Sequence, residues 1–294
     1  MQSQSGTTNR LWRRAKGLDE ALQCLRERRW TVLAGGTDLY PGTERSALSG
    51  AVLDISALGA LRGVAVESAG AAQTLRIGAL ATWSDLLRAN LPAQFEALAL
   101  AAREVGGVQI QNRGTVGGNL CNASPAADGT VALLALDAEV ELSRVGAART
   151  IPLAQFVRGV RRTDLREDEL LVAVRAPVHA RRTRSTFLKL GHRRYLVISI
   201  AMVAASATLD EQGHVARVAI AVGACAPTAV RLAVLEQRLL GMGAAELNAR
   251  LATIVDGDAL SPIAPIDDVR GTAGYRRDAV AELARRALKK VCSQ

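Results

Sequence analysis

A chain of 294 residues, 49% hydrophobic and 22% charged, is long enough for two or three cores and too apolar to be disordered. Aromatic residues make up only 3%, so those cores rest on Ala, Leu and Val. The formal charge of +9 comes from 37 basic residues, of which four are lysines (Lys16, Lys189, Lys289, Lys290) and the remaining 33 arginines. Aromatic residues are too few beside them, at 3%, which argues against a base-stacking nucleic-acid surface. A basic surface of this kind suits an anionic cofactor or an acidic partner chain.

In chain order, residues 1–17 show no apolar core behind their basic residues, so a secretory signal peptide is not expected. Residues 18–29 place Leu18, Leu22 and Leu25 on one helical face. Short strands follow at 30–33 and 51–56, and the three segments predict a small β-α-β unit. Residues 62–67 and 74–80 alternate as strands. Residues 82–105 read as helical and are broken by Pro92. A glycine-rich polar stretch at 106–129 reads as a loop between apolar helices. An apolar helix near 129–136 and strands near 137–143, 148–151 and 169–175 come next. Pro177 and the basic residues 179–184 mark a boundary. Beyond it, 187–190, 197–209 and 215–225 read as strands, and 228–241 and 244–255 as helices. The last helix repeats apolar residues at Val280, Leu283, Ala284, Ala287, Leu288 and Val291. The densest apolar run, 196–209, is too short to span a membrane and reads as a buried strand. The predicted class is α+β, divided at 1–58, 59–178 and 179–294.

The four cysteines (Cys24, Cys121, Cys225, Cys292) are scattered, with no spacing suited to zinc or an iron–sulfur cluster. No metal site is expected on the chain, and a reducing, cytoplasmic setting is. His179, His192 and His214 have no carboxylate or cysteine at ligand spacing. The stretch 170–209 holds seven Lys or Arg and no Asp or Glu. It reads either as a solvated face or as a positive field that docks a partner.

Two glycine loops carry the chemistry. Leu33-Ala34-Gly35-Gly36-Thr37-Asp38 follows a strand, and paired glycines there allow positive φ, close backbone approach and a nest of N–H groups for a phosphate. A tight turn is the plainer reading. The second loop, 112–128, gathers three glycines with Asn112, Thr115, Asn119, Asn122, Ser124 and Asp128. So polar a segment between apolar helices must satisfy its backbone groups, and a bound anion among small hydrogen-bonding side chains would do so. It is neither a Rossmann fingerprint nor a P-loop, and no nucleophile elbow or metalloprotease motif occurs.

AGGTDL followed by NRGTVGGNLCNASPAAD resembles the FAD-binding, or medium, subunits of the molybdenum hydroxylases, such as those of carbon monoxide and xanthine dehydrogenases. The resemblance extends to 169–177, 188–199 and 269–280, nearly the whole chain. It implies a two-subdomain FAD-binding domain followed by a C-terminal α+β domain of the carbon monoxide dehydrogenase flavoprotein type. By resemblance, Leu33, Ala34, Gly35, Gly36, Thr37 and Asp38 wrap the FAD pyrophosphate, and Thr115, Gly117, Gly118 and Asn119 close on it. Cys121, Asn122, Ser124 and Asp128 line the adenosine and ribityl side, and Leu171 packs on the adenine. Lys189 sits near the isoalloxazine, where a cation stabilises reduced flavin, and Ile198 belongs to the segment at the ring's exposed face. No catalytic acid or base is implied on this chain. The implied partners are a large molybdopterin subunit and a small subunit with two 2Fe-2S clusters, in a dimer of heterotrimers. The cysteine-bearing insertion of the hydroxybenzoyl-CoA reductase branch is missing. The rival readings are a stand-alone FAD-dependent oxidase and a basic binding module without redox chemistry.

Overall fold

The computed structural model describes residues 11–43, 48, 50–70, 72–179 and 182–292. Its first unit is a parallel sheet with strand order Leu11–Arg14, Ala51–Asp54, Thr31–Leu33. The helix Leu18–Glu27 makes the crossover and buries Ala21, Leu22, Cys24 and Leu25, which recur at the helical spacing of one face. The strand Leu11–Arg14 was not legible in the sequence. It is an edge strand with all four side chains exposed, so LWRR has no alternation to read. It is nonetheless the strand that completes the β-α-β unit.

The second unit is a five-stranded antiparallel sheet in the order Val64–Ala69, Ala72–Gly78, Leu170–Pro177, Glu139–Arg144, Ala147–Pro152. Its central strand explains the unbroken apolar run LLVAV. Leu170 and Val172 pack into the first unit's core with Leu53 and Ile55, while Leu171 and Val174 face the second core with Trp83 and Leu133. A register shift between Leu171 and Ala173 bends the strand at that point. Thr82 caps the helix Trp83–Arg88 in a reciprocal box with Asp85.

The glycine-rich stretch 106–129 corrects the expectation of a loop. Val108–Arg113 and Val116–Asn122 are helices, and Asp128 begins a third, Asp128–Ala135. Glycine lowers helix propensity by about 1 kcal/mol relative to alanine, but packing overrides that here. A β-carbon on Gly117 would lie 2.8 Å from the carbonyl oxygen of Ala79, so only glycine lets this helix sit on the sheet.

The third unit is the antiparallel sheet Thr183–Leu190, Ala201–Leu209, Val215–Gly223, Val230–Arg231. The long helix Ala273–Cys292 covers one face, and Glu96–Glu104 and Asp128–Ala135 pack on the other. Along Ala201–Leu209, Met202 and Ala204 enter the second unit's core, and Ala201, Val203 and Ala205 enter the core under the long helix. Of the proposed boundary, residues 180 and 181 lie outside the described residues. Gln94 braces its start by donating to the Pro177 carbonyl and accepting from the His179 N–H. Among the described residues no helix is long and apolar enough to cross a membrane, and no group of His, Cys, Asp or Glu could hold a metal ion.

Candidate functional site

The two glycine segments come together as opposite walls of a cleft of about 620 Å³ between the first two units. Leu33, Ala34, Gly35, Gly36, Thr37 and Asp38 form one wall. Thr115, Gly117, Gly118, Asn119, Cys121 and Asn122 form the other, and Leu171 lines the cleft with Leu165 and Leu170. The walls touch where Gly35 passes the Arg113 carbonyl so closely that a β-carbon would collide with it. Gly36 adopts φ +76°, a left-handed conformation that turns the chain back toward Tyr40. At the mouth, Asn122 Nδ2 donates to Asp38 Oδ1 at 2.9 Å.

The walls differ in what they leave free. In the helix Val116–Asn122, the N–H groups of Val116 and Gly117 donate to the Ala81 and Ala79 carbonyls, both at 2.9 Å. Those of Gly118 and Asn119 donate to the Thr115 hydroxyl and carbonyl, both at 3.0 Å. This first turn is therefore satisfied internally. On the facing loop, the N–H groups of Gly35, Gly36, Thr37, Asp38 and Leu39 have no acceptor among the described residues. The Gly36 and Asp38 carbonyls are turned away, accepting from Tyr40 and Gly42. A run of free amide donors on a glycine turn is an anion cradle. No Lys or Arg among the described residues lines the cleft, and Asp38 is its one carboxylate.

Ser124, Asp128, Lys189 and Ile198 are not among the cleft-lining residues. Ser124 Oγ accepts from the Ala126 N–H. Asp128 and Lys189 form a buried ion pair at 2.9 Å that joins the second and third units. Ser199 Oγ donates to the other Asp128 oxygen at 3.1 Å, and Lys189 also reaches the Glu104 carbonyl. Burial pushes the Asp128 carboxyl up to about 6 even though Lys189 and Ser199 oppose the shift. Ile198 is half exposed on the hairpin 191–199, as are Tyr195 and Leu196. Arg193 closes this hairpin by donating to the Leu196 carbonyl, and the Arg194 guanidinium lies 5.2 Å from the Tyr195 ring centroid.

The basic stretch 170–209 does not form one free positive face. Arg175 pairs with Glu141 and Lys189 with Asp128. Arg182 donates to the Asp210 and Glu211 carbonyls. Arg181 lies outside the described residues. The cleft also uses Ala79, Leu80, Trp83, Val105 and Ile110, which carried no sequence signal beyond apolarity.

The fold and this cleft define a two-domain chain built to hold an anionic cofactor. Residues 4–179 match the family model for the FAD binding domain in molybdopterin dehydrogenase, and 186–291 match that for the CO dehydrogenase flavoprotein C-terminal domain. The chain belongs to this FAD-binding family of molybdopterin dehydrogenases. It is 32% identical to the glyceraldehyde dehydrogenase medium chain of Sulfolobus acidocaldarius, over 95% of this chain and 96% of that one. It is 30% identical to the carbon monoxide dehydrogenase medium chain of Hydrogenophaga pseudoflava, over 87% of each. Its fold superimposes on a chain of reconstituted CO dehydrogenase from Oligotropha carboxidovorans with a TM-score of 0.88 at 26% identity, covering 96% of this chain and 97% of that one. The cleft fits a dinucleotide cofactor. Its volume lies in the range of small-molecule sites, and its free amides supply what a pyrophosphate accepts.

Proposed function

We propose that the chain is the FAD-bearing electron-transfer subunit of a molybdenum-containing hydroxylase or dehydrogenase complex. In this reading a partner chain with 2Fe-2S clusters delivers electrons, a further partner holds the molybdopterin, and an external acceptor removes the electrons. The observation that carries it is the two-walled cleft, in which a loop with five free amides lies opposite a glycine-bearing helix of the other unit.

The amides of Gly35 to Leu39 hold the pyrophosphate, and Thr115, Gly117, Gly118 and Asn119 give the opposite wall the low relief it needs. Cys121 and Asn122 flank the adenosine side, with Ser124 behind them, and Leu171 supplies apolar contact to the adenine. Lys189, held in its buried ion pair with Asp128, would supply positive charge near the isoalloxazine, and Ile198 would belong to the exposed segment beside the ring. When bound, FAD would supply the redox chemistry. The chain contributes binding, orientation and exclusion of water. The exposed hairpin 191–199 is one part of the basic stretch open to a partner or acceptor.

The purified chain should show a flavin spectrum and release FAD on denaturation; release of FMN alone would contradict the pyrophosphate cradle. Rapid mixing separates the subunit from a stand-alone oxidase. Reduction of the flavin should appear only after the molybdenum and iron–sulfur chains are added. Reduction of the isolated chain by an organic substrate at turnover rate would establish the oxidase instead.

A further inference from the structure

Arg276 belongs to the first turn of the helix Ala273–Cys292 and is 3% exposed. Its Nη1 donates to two carbonyls that flank different strands, Ile200 just before Ala201–Leu209 at 2.8 Å and Ala224 just after Val215–Gly223 at 2.9 Å. Its Nη2 donates to Asp268, whose turn is closed by reciprocal backbone bonds with Gly271. Its Nε is buried without an acceptor. A guanidinium so placed is a poor device for stability alone. The desolvation cost of a buried charge with one carboxylate partner is large, and an apolar side chain of similar volume is commonly as stabilising. What it does fix is the position of two strand ends.

Both ends lead to the flavin site. Ile200 closes the hairpin 191–199 through its N–H to the Leu190 carbonyl, and the preceding Ser199 grips Asp128, the partner of Lys189. Ala224 is held at φ 61°, a conformation that L-residues other than glycine rarely keep unless their surroundings enforce it. Its N–H donates to the Pro125 carbonyl at 2.9 Å, just beyond the cleft helix Val116–Asn122. One guanidinium thus ties the hairpin and the end of the cleft wall to the C-terminal helix.

We propose that Arg276 is a positioning residue for the flavin. It acts through Ile200 and Ser199 on the Asp128–Lys189 pair, and through Ala224 and Pro125 on the cleft wall. The inference rests on the FAD site proposed above. It makes the C-terminal domain a working part of that site.

The test uses the full chain loaded with FAD. For wild type, Arg276→Lys, Arg276→Met, Ser199→Ala and the Arg276→Lys/Ser199→Ala double variant, three quantities are measured. These are the FAD dissociation constant by fluorescence, the midpoint potential of the bound flavin, and the thermal midpoint. Arg276→Met should weaken FAD binding by about tenfold or more and move the potential, with Arg276→Lys intermediate. Ser199→Ala should move the potential in the same direction by less. In the double variant Ser199→Ala should add little, because both changes loosen one chain of contacts. A lowered thermal midpoint with unchanged affinity and potential would make Arg276 merely structural and overturn the proposal, as would strict additivity. If Arg276→Met does not fold, Arg276→Lys and the double variant decide alone. A wild-type chain that binds no FAD would refute the cofactor reading, a result distinct from either of these.

Discussion

Gly35 and Gly36 are adjacent but needed for different reasons, and single substitutions should separate them. At Gly35 the obstacle is the Arg113 backbone, which cannot swing aside as a side chain can. Gly35→Ala should therefore spread the cleft walls and abolish stoichiometric FAD. At Gly36 the cost is a left-handed φ, about 1–2 kcal/mol for an L-residue, plus an approach of 2.8 Å to the Tyr40 ring, which can move. Gly36→Ala should weaken FAD binding while leaving it measurable; absorbance of released FAD per chain reads both. Gly118 is needed for yet another reason: it is helical, and a β-carbon there would come 2.8 Å from the Thr115 hydroxyl that caps the helix. A second residue-scale prediction concerns Glu169, whose side chain is almost fully buried beside Arg149. Burial raises its pKa, but hydrogen bonds from Arg149 and the Arg166 N–H outweigh that and hold the carboxyl below the usual glutamate value. Its stabilisation is therefore present above the unfolded value of about 4.3 and is lost as pH falls below that toward the lower folded value. Glu169→Gln should destabilise by roughly 1–3 kcal/mol at pH 7 and flatten the acid limb of the stability–pH curve below about 4.3. Urea titrations at several pH values check this, and an unchanged acid limb would refute it.

The helix Asp128–Ala135 and the strand Leu170–Pro177 show why some elements could be read directly and others could not. Both are buried on nearly every side, so each appears in sequence as an apolar run, and both were anticipated to within a few residues. The edge strand Leu11–Arg14 and the helix Val108–Arg113 bury nothing, so no periodicity announces them. They form because neighbouring elements hold them. Shared elements also make a stability prediction. Leu133 is fully buried in the second unit's core, and that core takes in side chains from the third unit's strands. Leu133→Ala should cost about 2–5 kcal/mol and shift a single calorimetric transition downward. Two separated transitions, one of them unmoved, would show that the third unit unfolds independently.

For the whole molecule, the net charge of +9 invites the view that FAD is held by arginines. The cleft contradicts that view, since the described residues lining it include no Lys or Arg and its free donors are backbone amides. Charges beyond about 10 Å are screened at 0.1 M salt, so the basic surface should contribute little. The FAD dissociation constant should change by no more than about twofold to threefold between 0.05 and 0.5 M NaCl. A steep salt dependence, read from fluorescence titrations, would mean that cations grip the cofactor after all.

Two glycine-rich polar segments, an α+β order of elements and the absence of cluster-forming cysteine spacings were determined by the sequence itself, because each is a local pattern of residue types. The tertiary structure alone decided which donors stay free. Gly117, Gly118 and Asn119 looked equivalent to Gly35 and Gly36 as phosphate binders, yet their N–H groups are taken by Ala79 and Thr115. It likewise placed Asp128 against Lys189, 61 residues away, where sequence could offer only a polar loop residue and a solitary lysine. Hydrogen-bond satisfaction and burial depend on what packs against a residue from elsewhere in the chain, and no local window contains that information.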